Sequence, residues 1–420
     1  MLKDVFRSLL DDKVRTFFCW VTFTLTSLFI FLFFVVAMSD AVGVKMVEGT
    51  SDIPSVLMVV SVLMCSVEIV FANDFFIKNK SKELAVRSVC GSTYTQNALF
   101  LLLQTIVILV IALPVGIFVG LMILPLINQL LVTVLNSNIV ITINGEALLW
   151  AFLVICYVVF WTLILNLSFS YRNSVSMLLN PNSIKAPHTS KIDIELDKKG
   201  IIGKIFHLVL FLLPLYLCYK VPTFAILWVL VSLLGFIYVV NDFFSPLLER
   251  RIKNKISNEV TLLSLGYFRF DLTLLRLNIL MYIFSSVLLS ALFSQADNPA
   301  QHVLILITYV AMNALLSLSI LFKYANEITE RPKKFKTLSH LGFLKKTQKK
   351  IIQKEVSYLY FYIILITCFY LVFIFASLIH SGVLSGKYAY ILLCASVLPL
   401  LICGFITNVY YRKTVISNEK

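Results

Sequence analysis

The sequence predicts an all-α polytopic membrane protein, with about ten transmembrane helices in a 4+2+4 arrangement. Three observations predict it. The chain of 420 residues is 59% hydrophobic and only 14% charged, with a mean hydropathy of +0.91. Its apolar stretches run unbroken for about 20 residues, enough to cross ~30 Å of hydrocarbon, whereas barrel strands would alternate. The positive charge is also segregated: 33 of the 36 Lys and Arg fall in segments that a ten-span reading places on one side.

Residues 1–16 read as an amphipathic surface helix. Leu2, Val5, Phe6, Leu9 and Leu10 share a face, and Lys3, Asp4, Arg7, Asp11 and Asp12 lie mostly elsewhere. The apolar stretch 17–38 is too long for a signal-peptide core and is expected to be an uncleaved first span. The remaining predicted spans are 54–76, 98–124, 146–169, 201–219, 222–244, 276–294, 301–323, 357–379 and 388–410. Lys220 and Pro222 mark a tight hairpin between the fifth and sixth. The opposite side holds only Lys45, Lys220 and Lys387, so both termini are expected in the cytoplasm. Lys outnumbers Arg 26 to 10, which associates the chain with an AT-rich bacterial genome and hence a bacterial plasma membrane. The organisation expected is a first four-helix half (17–170), a cytoplasmic linker (171–200), two linking helices (201–244), a cytoplasmic loop (245–275), a second four-helix half (276–410) and a tail (411–420).

Residues 71–100 organise this plan. An apolar run ends at a basic cluster (Lys78, Lys80, Lys82); a short amphipathic helix over 83–90 follows, then Gly91 and a polar turn into the next apolar run. The pattern recurs at 331–358. Superposing Gly91 on Gly342 puts Leu84 over Phe335, Ser88 over Ser339 and Cys90 over Leu341. Each half is thus expected to carry a short surface helix between two spans, with Glu83, Leu84, Val86, Arg87, Cys90 and Gly91 in the first and Phe335, Leu338, Leu341 and Gly342 in the second. A partner outside the bilayer that pushes on both halves suits such a repeat.

Catalytic signatures are absent. There is no G-x-x-x-x-G-K-[ST] phosphate loop and no G-x-S-x-G or H-E-x-x-H, so no catalytic residue is expected. The five histidines are scattered and the eight cysteines form no CxxC pair, so neither a metal site nor a disulfide framework is expected. The net charge of +14 follows the membrane topology and implies no nucleic acid. Glu68 is the one acidic residue well inside a predicted span. It is a candidate substrate-path residue, weighed against an interfacial structural role.

The stretch NDFFIKNKSKELAVRSVCGSTYTQ resembles the segment after the second span of FtsX-like ABC transporter permeases. LSHLGFLKKTQKKIIQKEVSYLYFYIIL and the downstream SLIHSG resemble the second half of the BceB-type bacitracin-resistance permeases. The span plan is similar over essentially the whole chain. The resemblance implies a type VII ABC permease-like fold, in which a cytoplasmic ATPase homodimer drives the membrane helices as levers. The two surface helices then correspond to coupling helices. ATP and Mg would bind that partner, and this chain would bind no cofactor. One departure is plain: BceB-type permeases carry a large extracellular domain between spans seven and eight, and here that position is 295–300. A sensor-kinase partner is the weakest of the implied expectations for that reason. The function expected is export or extraction of a hydrophobic or amphipathic substrate, such as an antimicrobial peptide. The competing expectations are a non-transporting membrane regulator and a secondary transporter.

Overall fold

The structure, a computed structural model, describes residues 2–11, 13–39, 53–135, 141–172, 201–220, 225–240, 243, 246, 259–294, 299–382 and 384–417. Every regular element among them is helical: α1 (Leu2–Asp11), α2 (Lys13–Ala37), α3 (Ile53–Val89), α4 (Tyr94–Leu135), α5 (Gly145–Arg172), α6 (Ile201–Lys220), α7 (Ala225–Val239), α8 (Glu259–Ser294), α9 (Pro299–His340), α10 (Lys345–His380) and α11 (Gly386–Ser417). Seven stretches among the described residues are long and apolar enough to cross a membrane, in α2, α4, α5, α8, α9, α10 and α11. α6 and α7 carry shorter apolar stretches, 203–218 and 227–236. The predicted linker 173–200 lies outside the described residues.

The chain divides into two compact units. The first comprises Met1–Glu195 with Ala296–Ala311. Its centre is α2, which packs against α3, α4 and α5. Phe23, Phe31, Phe33 and Phe34 of α2 are fully buried. The hydroxyls of Thr22, Thr24 and Thr26 return hydrogen bonds to carbonyls of their own helix, which satisfies them without water. α4 approaches α2 through Gly116 and Gly120. A Cβ at Gly116 would fall 1.8 Å from Ser27 Oγ, and one at Gly120 would fall 2.6 Å from the Phe31 ring. This small-xxx-small spacing lets two backbones meet where hydrocarbon offers no hydrophobic drive between helices. α1 turns Val5, Ser8 and Leu9 inward onto α2 and α4 and leaves Phe6 and Leu10 exposed. The apolar face read from the sequence is therefore split. Val5 and Leu9 are core, and Phe6 and Leu10 face out.

The second unit comprises Leu196–Gln295 and Met312–Lys420. α6 and α7 form a hairpin so close that a Cβ at Gly235 would meet the Leu210–Phe211 backbone at 2.6 Å. α8 packs on α7 and α10, and α10 packs on α6 and α11. Polar links tie these helices at depth: Tyr282 Oη donates to the Ser396 carbonyl, Ser286 Oγ to Asn313, and Asn278 Nδ2 to Ser319. On the outside, α10 and α11 expose Phe361, Leu365, Phe369, Leu401, Ile402 and Phe405. Such continuous apolar surface suits lipid, not water. The predicted cytoplasmic loop 245–275 is partly helix, because α8 begins at Glu259 and buries Thr261, Ser264, Phe268 and Asp271.

The contact at Gly116 is testable by thermal unfolding in detergent. Gly116→Val is expected to lower stability by about 1–3 kcal/mol through overpacking. Gly266→Ala, in open space on α8, should be neutral or stabilising by about 0.5–1 kcal/mol. A Gly116→Val chain as stable as wild type would contradict the α2–α4 packing.

Candidate functional site

The amphipathic segments at 83–90 and 335–341 are not separate surface helices. Residues 83–89 are the last turns of α3, continuous from Ile53, and 335–340 are the last turns of α9, continuous from Pro299. No proline or glycine lies between Asn73 and Gly91 to break the first. In the second, Pro332 is accommodated within the helix. Each long helix runs beyond its apolar stretch and then turns sharply into the next, forming an elbow.

Both elbows close in the same way. Gly91 has φ +96° and Gly342 φ +93°. The glycine N–H donates to the carbonyl three residues back, Ser88 at 3.1 Å and Ser339 at 3.0 Å. The next N–H donates to the carbonyl five residues back, Ser92 to Arg87 at 3.0 Å and Phe343 to Leu338 at 3.1 Å. This is a Schellman ending, which needs a left-handed residue at this position. A Cβ on either glycine would meet nothing within 4 Å, so conformation and not space calls for glycine. Six residues past each glycine a buried amide reaches back to the turn: Asn97 Nδ2 to Ser88 Oγ at 2.6 Å, and Gln348 Nε2 to the Phe343 carbonyl at 3.3 Å.

The register Gly91 over Gly342 extends further. Lys80 stands eleven residues before Gly91, and Arg331 eleven before Gly342; both are buried. Gln104 stands thirteen residues after Gly91, and Glu355 thirteen after Gly342; both are fully buried. Each elbow thus rests on a buried cation from its first helix and a buried polar side chain from its second.

The partners differ. In the first unit, Lys80 Nζ donates to the Ser8 carbonyl at 3.0 Å and to Ser8 Oγ at 2.8 Å. Gln104 Nε2 donates to the same Oγ at 2.9 Å, and Ser8 Oγ donates to Glu83 at 2.6 Å. α1 therefore plugs the base of the elbow with one serine. Glu83 also lies 3.4 Å from Lys80 and 3.7 Å from Arg87, whose guanidinium sits 3.5 Å over the Phe100 ring. In the second unit, Arg331 is held between two fully buried carboxylates: Nη2 donates to Asp271 of α8, and Nη1 to Glu355 of α10. Nη1 also reaches Tyr411 Oη of α11 at 3.0 Å. Tyr324 and Tyr411 donate to the two oxygens of Glu355 at 2.8 and 3.2 Å. The Tyr267 ring lies 4.7 Å from the guanidinium. Burial pushes Arg331 down, but Tyr411, Glu355 and Asp271 more than reverse this and hold it above its ordinary range. Arg331 thus stays charged and pins four helices together.

The sequence-predicted residues divide by exposure. Leu84 and Phe335, one register position, are buried wedges, and Phe335 packs on Tyr267 and Tyr411. Val86, Cys90, Gly91, Leu341 and Gly342 form exposed tips; Glu83, Arg87 and Leu338 are half-buried. Glu68 lies within α3, but its side chain is outside the described residues. Among the described residues no group of His, Cys, Asp and Glu is placed to hold a metal. Sequence reading missed Ser8, Gln104, Asp271, Arg331 and Glu355, and treated Lys80 as one of a basic run. Extending the glycine register by eleven and thirteen residues was the available signal. No family model matches the chain, and no curated protein matches it.

Removing one partner of a buried ion cluster strands the others. Arg331→Met is expected to cost about 3–5 kcal/mol in thermal unfolding. Lys80→Met, whose carboxylate partner Glu83 is half-exposed, should cost about 1–3 kcal/mol. Replacing Arg331, Asp271 and Glu355 together by Leu should restore much of the loss. An Arg331→Met chain no less stable than Lys80→Met would contradict the cluster. Gly91→Ala and Gly342→Ala should each cost about 1–2 kcal/mol, read the same way.

Proposed function

We propose that this chain is the permease subunit of an ABC transporter, driven by a separate cytoplasmic ATPase homodimer. The observation that carries the proposal is the pair of matched elbows, each closed by the same glycine turn and braced at the same register by a buried cation. Two equivalent protruding turns suit a two-fold partner. Bracing each elbow to several helices makes it a lever, since close-packed elements shift as bodies and do not deform smoothly. The first-half resemblance at 73–96 and the second-half resemblance at 338–382 fall on these elbows, and the charge asymmetry supports a cytoplasmic side for both, in a bacterial plasma membrane on this reading. ATP and Mg belong to the partner. The substrate is hydrophobic or amphipathic, a peptide or lipid-like molecule taken from the bilayer, and export or extraction is the direction proposed. The full 4+2+4 plan, with α3, α6 and α7 as further spans, goes with this reading.

A secondary transporter is the second reading. Ionisable groups at matching depths in two repeats are what such carriers use, and Lys80 and Arg331 match. They favour it less because both are engaged by bracing partners, and Arg331 lies beyond the predicted span 301–323.

Purification of the tagged chain from its native cells in mild detergent tests the proposal. A stoichiometric P-loop protein should co-purify, with ATPase activity that depends on this chain. Gly91→Trp should abolish that coupling while leaving the spans folded. A chain that purifies alone and moves substrate under a proton or sodium gradient would overturn the proposal.

A further inference from the structure

The two elbows share a backbone but not a surface. In register, residues 84–103 carry one charged residue, Arg87, and residues 335–354 carry six lysines and no acid. Lys336, Lys346, Lys349 and Lys350 are exposed, and among the described residues no carboxylate pairs with them. Between them stand Leu341 and Leu344, 71% and 74% exposed, the most exposed leucines described. The first elbow offers Val86 and Val89, 59% and 70% exposed, without the lysines.

A run of lysines beside leucines also suits an anionic bilayer, but the length of α9 argues against that here. Seventeen residues separate position 323, where the predicted span ends, from His340. At 1.5 Å per residue the tip stands ~25 Å beyond the predicted span, and Lys346 and Lys350, eleven and seven residues before the predicted span that starts at 357, stand ~16 and ~10 Å out. The headgroup layer is only about 5–8 Å deep. The lysines thus stand beyond the headgroups, where water and a cytoplasmic protein reach them.

We propose that the second elbow docks an acidic surface of the ATPase partner, with carboxylates facing Lys346, Lys349 and Lys350 around an apolar notch that takes Leu341 and Leu344. This rests on the permease reading. The first elbow enters the equivalent notch of the other subunit by apolar contact alone. Two identical notches therefore meet unequal elbows, and docking is ordered: the lysine-bearing elbow captures the partner at long range, and the first elbow seats afterwards.

The full chain in nanodiscs of zwitterionic lipid, with the co-purified P-loop protein as probe, tests this. Binding is measured at low and high salt. The triple variant Lys346→Glu, Lys349→Glu, Lys350→Glu should bind about tenfold more weakly at low salt and lose most of the salt dependence. Val89→Asp in the first elbow should weaken binding while leaving the salt dependence intact. These lysines are exposed, so the variant's unfolding temperature should match wild type. A triple variant that binds the partner like wild type at both salts would overturn the inference while leaving the permease reading standing. So would a variant that loses only its affinity for vesicles containing phosphatidylglycerol. If no P-loop protein binds the wild-type chain, the permease reading itself falls.

Discussion

The second unit depends on keeping one guanidinium charged where no water reaches it. Arg331 satisfies this by taking a carboxylate from α8 and another from α10, with phenols from α9 and α11 closing the shell. A lone buried ion is too costly to exist, so each of the four helices is held by the others' charges. Replacing such a cluster with apolar side chains often costs no stability. What it supplies here is position. The foot of each helix is held where these pairings can form together, which fixes where the Gly342 elbow stands.

The first unit meets the same problem with a hydroxyl, an amide and a half-exposed carboxylate. Lys80 takes the Arg331 position and Gln104 the Glu355 position, and α1 inserts Ser8 as the shared hydrogen-bond centre. Ser8 Oγ accepts from Lys80 and Gln104 and donates to the half-exposed Glu83, a network that uses each of its capacities. An ion pair with a half-exposed carboxylate is screened more than the fully buried pairs of Arg331. The first elbow is accordingly the softer of the two and the second the stiffer. In a machine moved by a partner that pushes on both, the halves would not yield equally.

The membrane character was legible at once, because runs of about 20 apolar residues have one physical solution. The pairing of Gly91 with Gly342 was legible too: a stop signal after a basic amphipathic turn is a local feature, and local features survive in sequence. The shape of the elbows was not. A helix that leaves hydrocarbon can lie on the surface or run straight on, and the same amphipathic turns serve either course. Continuity from Ile53 to Val89 is decided by tertiary support, with Leu84 and Lys80 buried against their neighbours. The buried clusters were hidden for another reason. Asp271, Arg331 and Glu355 are separated by 60 and 24 residues and look like ordinary charges in polar loops. Glu68 drew attention because it sits in an apolar run, whereas the best-buried ions sit just outside one.

The claim that both elbows serve one partner meets its most direct test in cross-linking from their tips. Cys90 is exposed at the first tip, and Leu341→Cys places a thiol at the matching position of the second. A thiol-reactive photo-cross-linker attached at either site, in native membranes, should capture the same P-loop protein, with yields that change together when ATP is added. Capture from neither site, or from one site only with no response to nucleotide, would contradict the account.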